Sequence, residues 1–384
     1  MIDIIFIFCI NYFLTDYLKD AKFWEAAMKV RVSKDEVDTV TNNTMLRSSH
    51  EITRLFKSRL DHLEEDFDNL KSSNIIENSN NSSNLEKTAH SFERSDGKLE
   101  NPKSWMANID DKMWLSEMSI PGTHDTMTSS DHPDNTCNNF IVSRCCQTQD
   151  WSLKEQLDAG IRFVDLRLKH ENNDLILHHD FITIGPNLKH VFEVLTTFLK
   201  ENPTETIIMS YQQTQESENS NGVPFHKDFK KQVREVPENF MYSEYRMPQL
   251  GQARGKIVLL DYMRNGGLGI GKKKDYVDNH WDDIVYFYWF MWNVRPEYFE
   301  RLQNNIAYSQ SKYDSKHFFV SWLSANDCKK TLLNWGPRKC AENVNPEMHN
   351  YLMKQSGKGN YGVIVMDFPT NWMIRTIVEN NSTP

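Results

Sequence analysis

Positive charge is in short supply in this chain: 44 Lys and Arg stand against 53 Asp and Glu, a net charge of -9 at neutral pH. A protein that grips nucleic acid wants a basic face, so that partner class is set aside. A membrane surface is not, because a local basic or aromatic patch can serve there. Cysteine is sparse too. Six residues (Cys9, Cys137, Cys145, Cys146, Cys328 and Cys340) are too few for a disulfide scaffold and lack zinc-finger spacing. Cys137 with Cys145 or Cys146, and Cys328 with Cys340, are spaced for short loop disulfides in an oxidising compartment; six reduced thiols are the plainer expectation. Also missing at the amino terminus is a hydrophobic run long enough to cross a bilayer, for the apolar stretch Met1 to Leu14 falls short. It resembles a secretory signal core, yet Asp3 stands where Lys or Arg is usual and no clear small-residue cleavage site follows. A buried or fraying helix is the expectation, with a cytoplasmic or peripheral-membrane location, and secretion is the alternative.

What is present is enough chain, 384 residues, for one domain of about 250–300 residues plus an extension. Residues 1–71 read as a partly helical extension, because Ile52, Leu55, Phe56, Leu60, Leu63, Phe67 and Leu70 recur at spacings of three and four. Residues 72–100, rich in Asn and Ser with little to bury, read as a linker. From 101 to 384 short β-like runs alternate with helical ones. Candidate strands are Leu115–Ile120, Ile161–Leu168, Leu175–His178, Thr206–Tyr211, Lys256–Tyr262, Ile284–Met291, Phe318–Trp322 and Gly362–Phe368, with amphipathic segments such as Leu188–Lys200 and Pro346–Lys354 between them. The fold class expected is α/β, a distorted (β/α)8 barrel.

In such barrels the chemistry gathers at the carboxyl ends of the strands. The first candidate strand runs into Pro121-Gly122-Thr123-His124-Asp125; the second carries Asp165 and Arg167 on one face. The third ends in Leu177-His178-His179 and the last in Met366-Asp367. Any one of these histidines is more often a structural hydrogen-bonder; the set at four strand ends points to chemistry. Two imidazoles can divide the proton work of cleaving a phosphodiester, one as base and one as acid. Carboxylates behind them fix tautomers, and an arginine fork neutralises phosphate oxygens. No metal is required, and residue types alone leave His178 and His179 equivalent.

These motifs resemble the X domain of phosphatidylinositol-specific phospholipases C. The resemblance runs from Ser119-Ile120-Pro121-Gly122-Thr123-His124-Asp125 through Gln156-Leu157-Asp158-Ala159-Gly160-Ile161-Arg162-Phe163-Val164-Asp165-Leu166-Arg167 to Leu177-His178-His179. It continues through Phe198–Ser210 and Ala253–Leu260 to Asn345-Pro346-Glu347 and Val365-Met366-Asp367, spanning about Trp105 to Arg375. It implies His124 as general base oriented by Asp367, His179 as general acid backed by Asp125, and Arg167 on the phosphate. The inositol 2-hydroxyl would attack phosphorus, giving diacylglycerol and inositol 1,2-cyclic phosphate. Calcium-dependent relatives carry an acidic ligand where Arg167 stands, so the resemblance implies no metal and no cofactor. Asp165, and Asp180 where the family often has glycine, are the residues that speak for one.

The head-group pocket departs from the family. Tyr211-Gln212-Gln213 stands where bacterial members place a lysine, and Asp261-Tyr262 where they place basic residues. Gln212, Asp261 and Tyr262 can still bind sugar hydroxyls, so the head group, plain or glycosylated, stays open. The aromatic run Tyr286 to Trp292 and Lys272-Lys273-Lys274 suit transient contact with a membrane surface. A barrel strand packed on both faces is the plainer reading of that run; the alternative for Trp292, near its end, is a platform for the inositol ring. The partner expected is a phosphoinositide lipid. Two rival readings are a metal-dependent phosphodiesterase of the glycerophosphodiester or sphingomyelinase D kind, and a non-catalytic inositol-lipid binder. No calcium-binding or lipid-binding module is evident after the barrel.

Overall fold

Short runs of β-branched and large apolar residues, each too brief for a stable helix, become strands from Ile120 onward, and Ile120–Thr123, Ile207–Gln213 and Ile257–Asp261 are buried on both faces. The computed structural model describes residues 99–129, 146–179, 182–214, 217, 219, 222–261, 268–270, 286–287, 296–311, 318–324 and 336–382. These belong to the unit Ser95–Pro384. The expected extension and nearly all of the expected linker lie outside the described residues. So do Asp180, Tyr262, Lys272 to Lys274, Trp292 and four of the cysteines.

Nine strands form one sheet: β1 (Ile120–Thr123), β2 (Phe163–Glu171), β3 (Asp174–His179), β4 (Ile182–Asn187), β5 (Ile207–Gln213), β6 (Ile257–Asp261), β7 (Tyr286–Phe287), β8 (Val320–Leu323) and β9 (Val363–Met366). Seven are parallel, in the order β6, β5, β2, β1, β9, β8, β7. This is the distorted (β/α)8-type barrel wall. Helices α1 (Leu153–Ala159), α2 (Leu188–Glu201), α3 (Phe225–Glu235), α4 (Leu250–Ala253), α5 (Pro296–Ser311), α6 (Pro337–Gln355) and α7 (Asn371–Glu379) connect or flank the strands.

Four expectations need correction. Leu115–Ile120 is not a strand: Leu115–Glu117 is a 3-10 turn whose Glu117 carboxylate accepts from the Trp114 N–H at 3.0 Å, and β1 starts only at Ile120. Leu175–His178 belongs to β3, which is antiparallel to β2 and β4, not a barrel strand. Alternation of period two reads the same in either orientation. The helix expected from Pro346 begins at Pro337 and runs through Pro346, because Val344, Asn345, Met348 and His349 are all buried on one side of it. Cys146 and Cys340, both buried, are disulfide-bonded rather than free thiols.

Local sequence explains the helices. In α1, Ser152 accepts from the Glu155 N–H and Glu155 reaches back, while Gly160 ends the helix at φ 116°, a conformation costly for other residues. Asn187 caps α2, whose Leu188, Val191, Phe192, Leu195, Phe198 and Leu199 are buried along one face. Each such side chain contributes roughly 1.5–3 kcal/mol.

Two arginines of the motif run tie the wall to the segment before β1. Arg162, fully buried, pairs with Glu205 at 2.9 Å and donates to the carbonyls of Leu157, Ile161, Pro102 and Lys103. Its guanidinium lies 4.6 Å from the Phe198 ring centroid. Arg254 donates to the carbonyls of Met106, Thr204 and Ile109. Between β1 and β2 the strands approach so closely that a Cβ on Gly122 would lie 2.9 Å from Phe163.

Candidate active site

Strand register assembles the site. Thr123 pairs with Val164 on one side and Met366 on the other, which brings His124, Asp165 and Asp367 level at the carboxyl ends of β1, β2 and β9. Arg167, two residues on, shares the face of Asp165 and is level with Gln212 on β5. The last four residues of β2 pair with β3, which turns back so that its end, His179, returns to the rim. An antiparallel strand thus delivers the second histidine to a parallel barrel.

The side chains form one buried network. His124 Nδ1 lies 2.8 Å from Asp367 Oδ1, and its Nε2 lies 2.6 Å from Arg167 Nη2. A guanidinium only donates and a carboxylate only accepts, so the network assigns His124 as neutral, with the proton on Nδ1 and a lone pair on Nε2. Asp125 bridges the remaining groups: Oδ1 is 2.7 Å from Arg167 Nε, and Oδ2 is 3.1 Å from His179 Nε2 and 3.3 Å from His124 Nε2. Neither oxygen has a well-aligned hydrogen bond, and the Arg167 guanidinium holds the carboxylate chiefly by charge. Asp125 takes a left-handed φ of 41°, held by Asp165 Oδ2 accepting its N–H at 3.2 Å.

Charge and burial set the protonation states. Burial, the largest influence on His124, pulls its pKa down, but the Asp125 and Asp367 carboxylates outweigh it and the net shift is upward; Arg167 opposes them. Burial works to raise Asp125 too, yet Arg167, then His124 and His179, hold that carboxyl well below its usual range. Asp367 and Asp165 are pushed up, by burial first; Asp165 is also raised by the Asp125 charge, against Arg167.

His124, Asp125 and Asp165 each bring one donor atom within 4.8 Å of the others, a spacing three ligands of a cation could adopt. The Arg167 guanidinium stands against both carboxylates of that trio, 3.4 Å from Asp165 Oδ2 as well as 2.7 Å from Asp125. The charge a divalent ion would supply is already there, so the trio does not fit a resident metal.

The other expected residues divide. His178 is turned away from the cluster, 3.4 Å from Thr183 Oγ1 and 3.6 Å from Glu171. Gln212 is buried beside Arg167 on the next strand, and Asp261, also buried, ends β6 level with Tyr211. Tyr262 and Trp292 lie outside the described residues, as does the basic loop expected at the membrane. Sequence reading missed Trp322, which ends its candidate strand and sets its ring edge-on to His124 at 5.8 Å and to Phe163 at 6.3 Å. It also missed Thr148 and Gln149, which hydrogen-bond the His124 carbonyl at 2.9 and 2.7 Å. No periodicity marks side chains that act on a neighbour's backbone.

Comparison with known proteins places these motifs. Residues 118–262 match the family model described as phosphatidylinositol-specific phospholipase C, X domain. The 1-phosphatidylinositol phosphodiesterase of Listeria monocytogenes is 31% identical over 298 residues, covering 73% of this chain and 85% of the relative. The protein of the same name from Staphylococcus aureus is 26% identical over 299 residues, 73% of this chain and 92% of the relative. Among solved structures, the phosphatidylinositol-specific phospholipase C of Listeria monocytogenes superposes with a TM-score of 0.60 at 26% identity, covering 73% of this chain and 99% of that one.

Proposed function

Because the chain belongs to the phosphatidylinositol-specific phospholipase C X-domain family, we propose that it cleaves phosphatidylinositol, or a glycosylated relative, to diacylglycerol and inositol 1,2-cyclic phosphate without a metal. The observation that carries this reading is the single chain of contacts Asp367–His124–Arg167–Asp125–His179, with one imidazole at either end of an arginine–carboxylate bridge.

The chemistry follows from that chain. The substrate phosphate draws the Arg167 fork onto its non-bridging oxygens, which releases the lone pair of His124 Nε2. Nε2 takes the proton of the inositol 2-hydroxyl while the new O–P bond forms. The positive charge that develops on His124 is stabilised by Asp367. The bond from phosphorus to the glycerol oxygen breaks, and a protonated His179 gives that oxygen its proton, its imidazolium having been held by Asp125. Arg167 stabilises the charge that builds on the phosphate. Gln212 and Asp261 offer hydrogen bonds to ring hydroxyls. A lipid substrate also requires transient contact between the barrel rim and a membrane surface.

The test is hydrolysis of phosphatidylinositol vesicles in excess EDTA, with products followed by phosphorus NMR. Wild type should release cyclic inositol phosphate and His124→Ala and His179→Ala should not. Activity abolished by EDTA and restored by calcium or magnesium would overturn the metal-free mechanism. Activity that survives both substitutions would overturn the residue assignment.

A further inference from the structure

We propose that Gln149 is a positioning residue for the His124–Asp367 pair, its amide tying together the two strand ends on which that pair stands. The proposal rests on the reading of His124 as general base.

The parallel ladder between β1 and β9 breaks off at the residues that carry the chemistry. His124 N–H donates to Met366 O at 3.0 Å. In a parallel pair the next rung would run from Phe368 N–H to the His124 carbonyl. Instead Phe368, at a left-handed φ of 44°, donates to Thr148 O at 2.8 Å. The His124 carbonyl is taken by Gln149 Nε2 at 2.7 Å and by Thr148 Oγ1 at 2.9 Å. The second amide hydrogen of Gln149 goes to Met366 O at 3.0 Å. One NH2 group therefore clamps a carbonyl on each strand, one from the base itself and one from the residue before its orienting carboxylate.

The chemistry of the contacts fixes the amide's orientation, since two carbonyl acceptors demand the nitrogen. The side chain is fully buried, so water cannot replace it. From the far side, Asn345 Nδ2 donates to the carbonyls of Asp367 and Phe368 at 3.0 and 3.2 Å. The splay of the two strands is thus set by side chains rather than by the ladder. A shift of roughly 1 Å there can cost about a hundredfold in rate.

The experiment compares Gln149→Leu with Asn380→Leu. Asn380 is a matched control: its buried amide donates to Ser119 Oγ and Gly359 O, both at 2.9 Å, near the amino ends of the same two strands. Gln149→Leu should lower kcat by roughly 10–100-fold with KM within about twofold. The acidic limb of kcat/KM should move to lower pH as the Asp367 contact loosens. The charged groups facing His124 (Asp125, Arg167, Asp165 and Asp367) are the same in both variants. Asn380→Leu should lower Tm while keeping kcat and the limb of wild type. Wild-type kcat and limb in Gln149→Leu would overturn the proposal, as would losses that track Tm equally in both variants with the limb unmoved. If Gln149→Leu does not fold, Gln149→Asn, one methylene too short to bridge both carbonyls, carries the same readouts.

Titration of the His124 ring by NMR separates the two levels of inference. Wild type without turnover defeats the catalytic reading alone. A ring pKa lowered in the Gln149 variant and unchanged in the Asn380 variant supports the clamp, and equal values in all three proteins defeat it.

Discussion

Arg167 donates to His124 through Nη2 at 2.6 Å, so the cation of the site rests on the nitrogen proposed above to take the substrate's proton. The same guanidinium reaches Asp125 through Nε at 2.7 Å. Only a planar fork can touch a ring nitrogen and a carboxylate at once and then turn the same in-plane donors to a phosphate. Arg167→Lys keeps the charge and loses the fork. It should lower kcat by roughly 10²–10³-fold, the cost of losing one transition-state donor. Steady-state kinetics on phosphatidylinositol check this, and a lysine variant with wild-type kcat would mean that charge alone suffices.

Asp367→Asn should change both rate and pH dependence. The Asp367 carboxylate is one of the two charges that raise the His124 pKa against burial. With it neutralised, His124 protonates at lower pH, and the acidic limb of kcat/KM moves down. kcat itself should drop roughly 10²–10⁴-fold, as the imidazolium loses its partner. The stability side has a definite sign. A raised pKa in the folded protein contributes stability that is fully present below about 6.5, the unfolded value, and is lost as pH rises through the folded value. Urea unfolding measured on both sides of that window should show this slope in wild type and less of it in Asp367→Asn. Equal slopes would place the upward shift elsewhere.

Arg162 offers a contrast, since it is as buried as the site and plays no part in it. Truncation to Ala strands the Glu205 carboxylate and four carbonyls in the interior. Breaking a buried pair in this way costs about 3–5 kcal/mol. Denaturant midpoints should fall accordingly in Arg162→Ala, while kcat per folded molecule stays near wild type. A loss of less than about 1 kcal/mol would show that the pair is better solvated than its burial implies.

How much of this was legible in the sequence depends on which interactions leave a pattern. The amphipathic run Leu188–Lys200 became α2 within one residue, because its buried face repeats with the helical period. Asp165 and Arg167 were readable as neighbours because alternation puts them on one face of β2. The hairpin of β3 and β4 was not, since period two carries no information about strand direction. β4 was missed for the added reason that Gly185 and Pro186 interrupt it. The Arg167 bridge between two imidazoles joins residues far apart in the chain, and only strand register brings them level. Gln149 left no mark at all, because its partners are backbone carbonyls that every residue possesses.

Gly122 links barrel packing to the His124 ring through a short series of contacts. A Cβ there would meet Phe163 at 2.9 Å, closer than real Cβ atoms come. Phe163 meets the edge of Trp322, and Trp322 meets the edge of His124. Gly122→Ala should therefore cost about 1–3 kcal/mol through overpacking and should also lower kcat, as the displaced aromatic pair presses on the imidazole. Phe163→Leu in the same molecule frees space for the new methyl group. Residues in direct contact couple by roughly 0.5–3 kcal/mol, so the double variant should be more stable than the sum of the single losses predicts. Strict additivity in urea denaturation would mean that the strain is relieved by backbone movement of β1, and kcat should then fall further in the glycine variant than in the phenylalanine one.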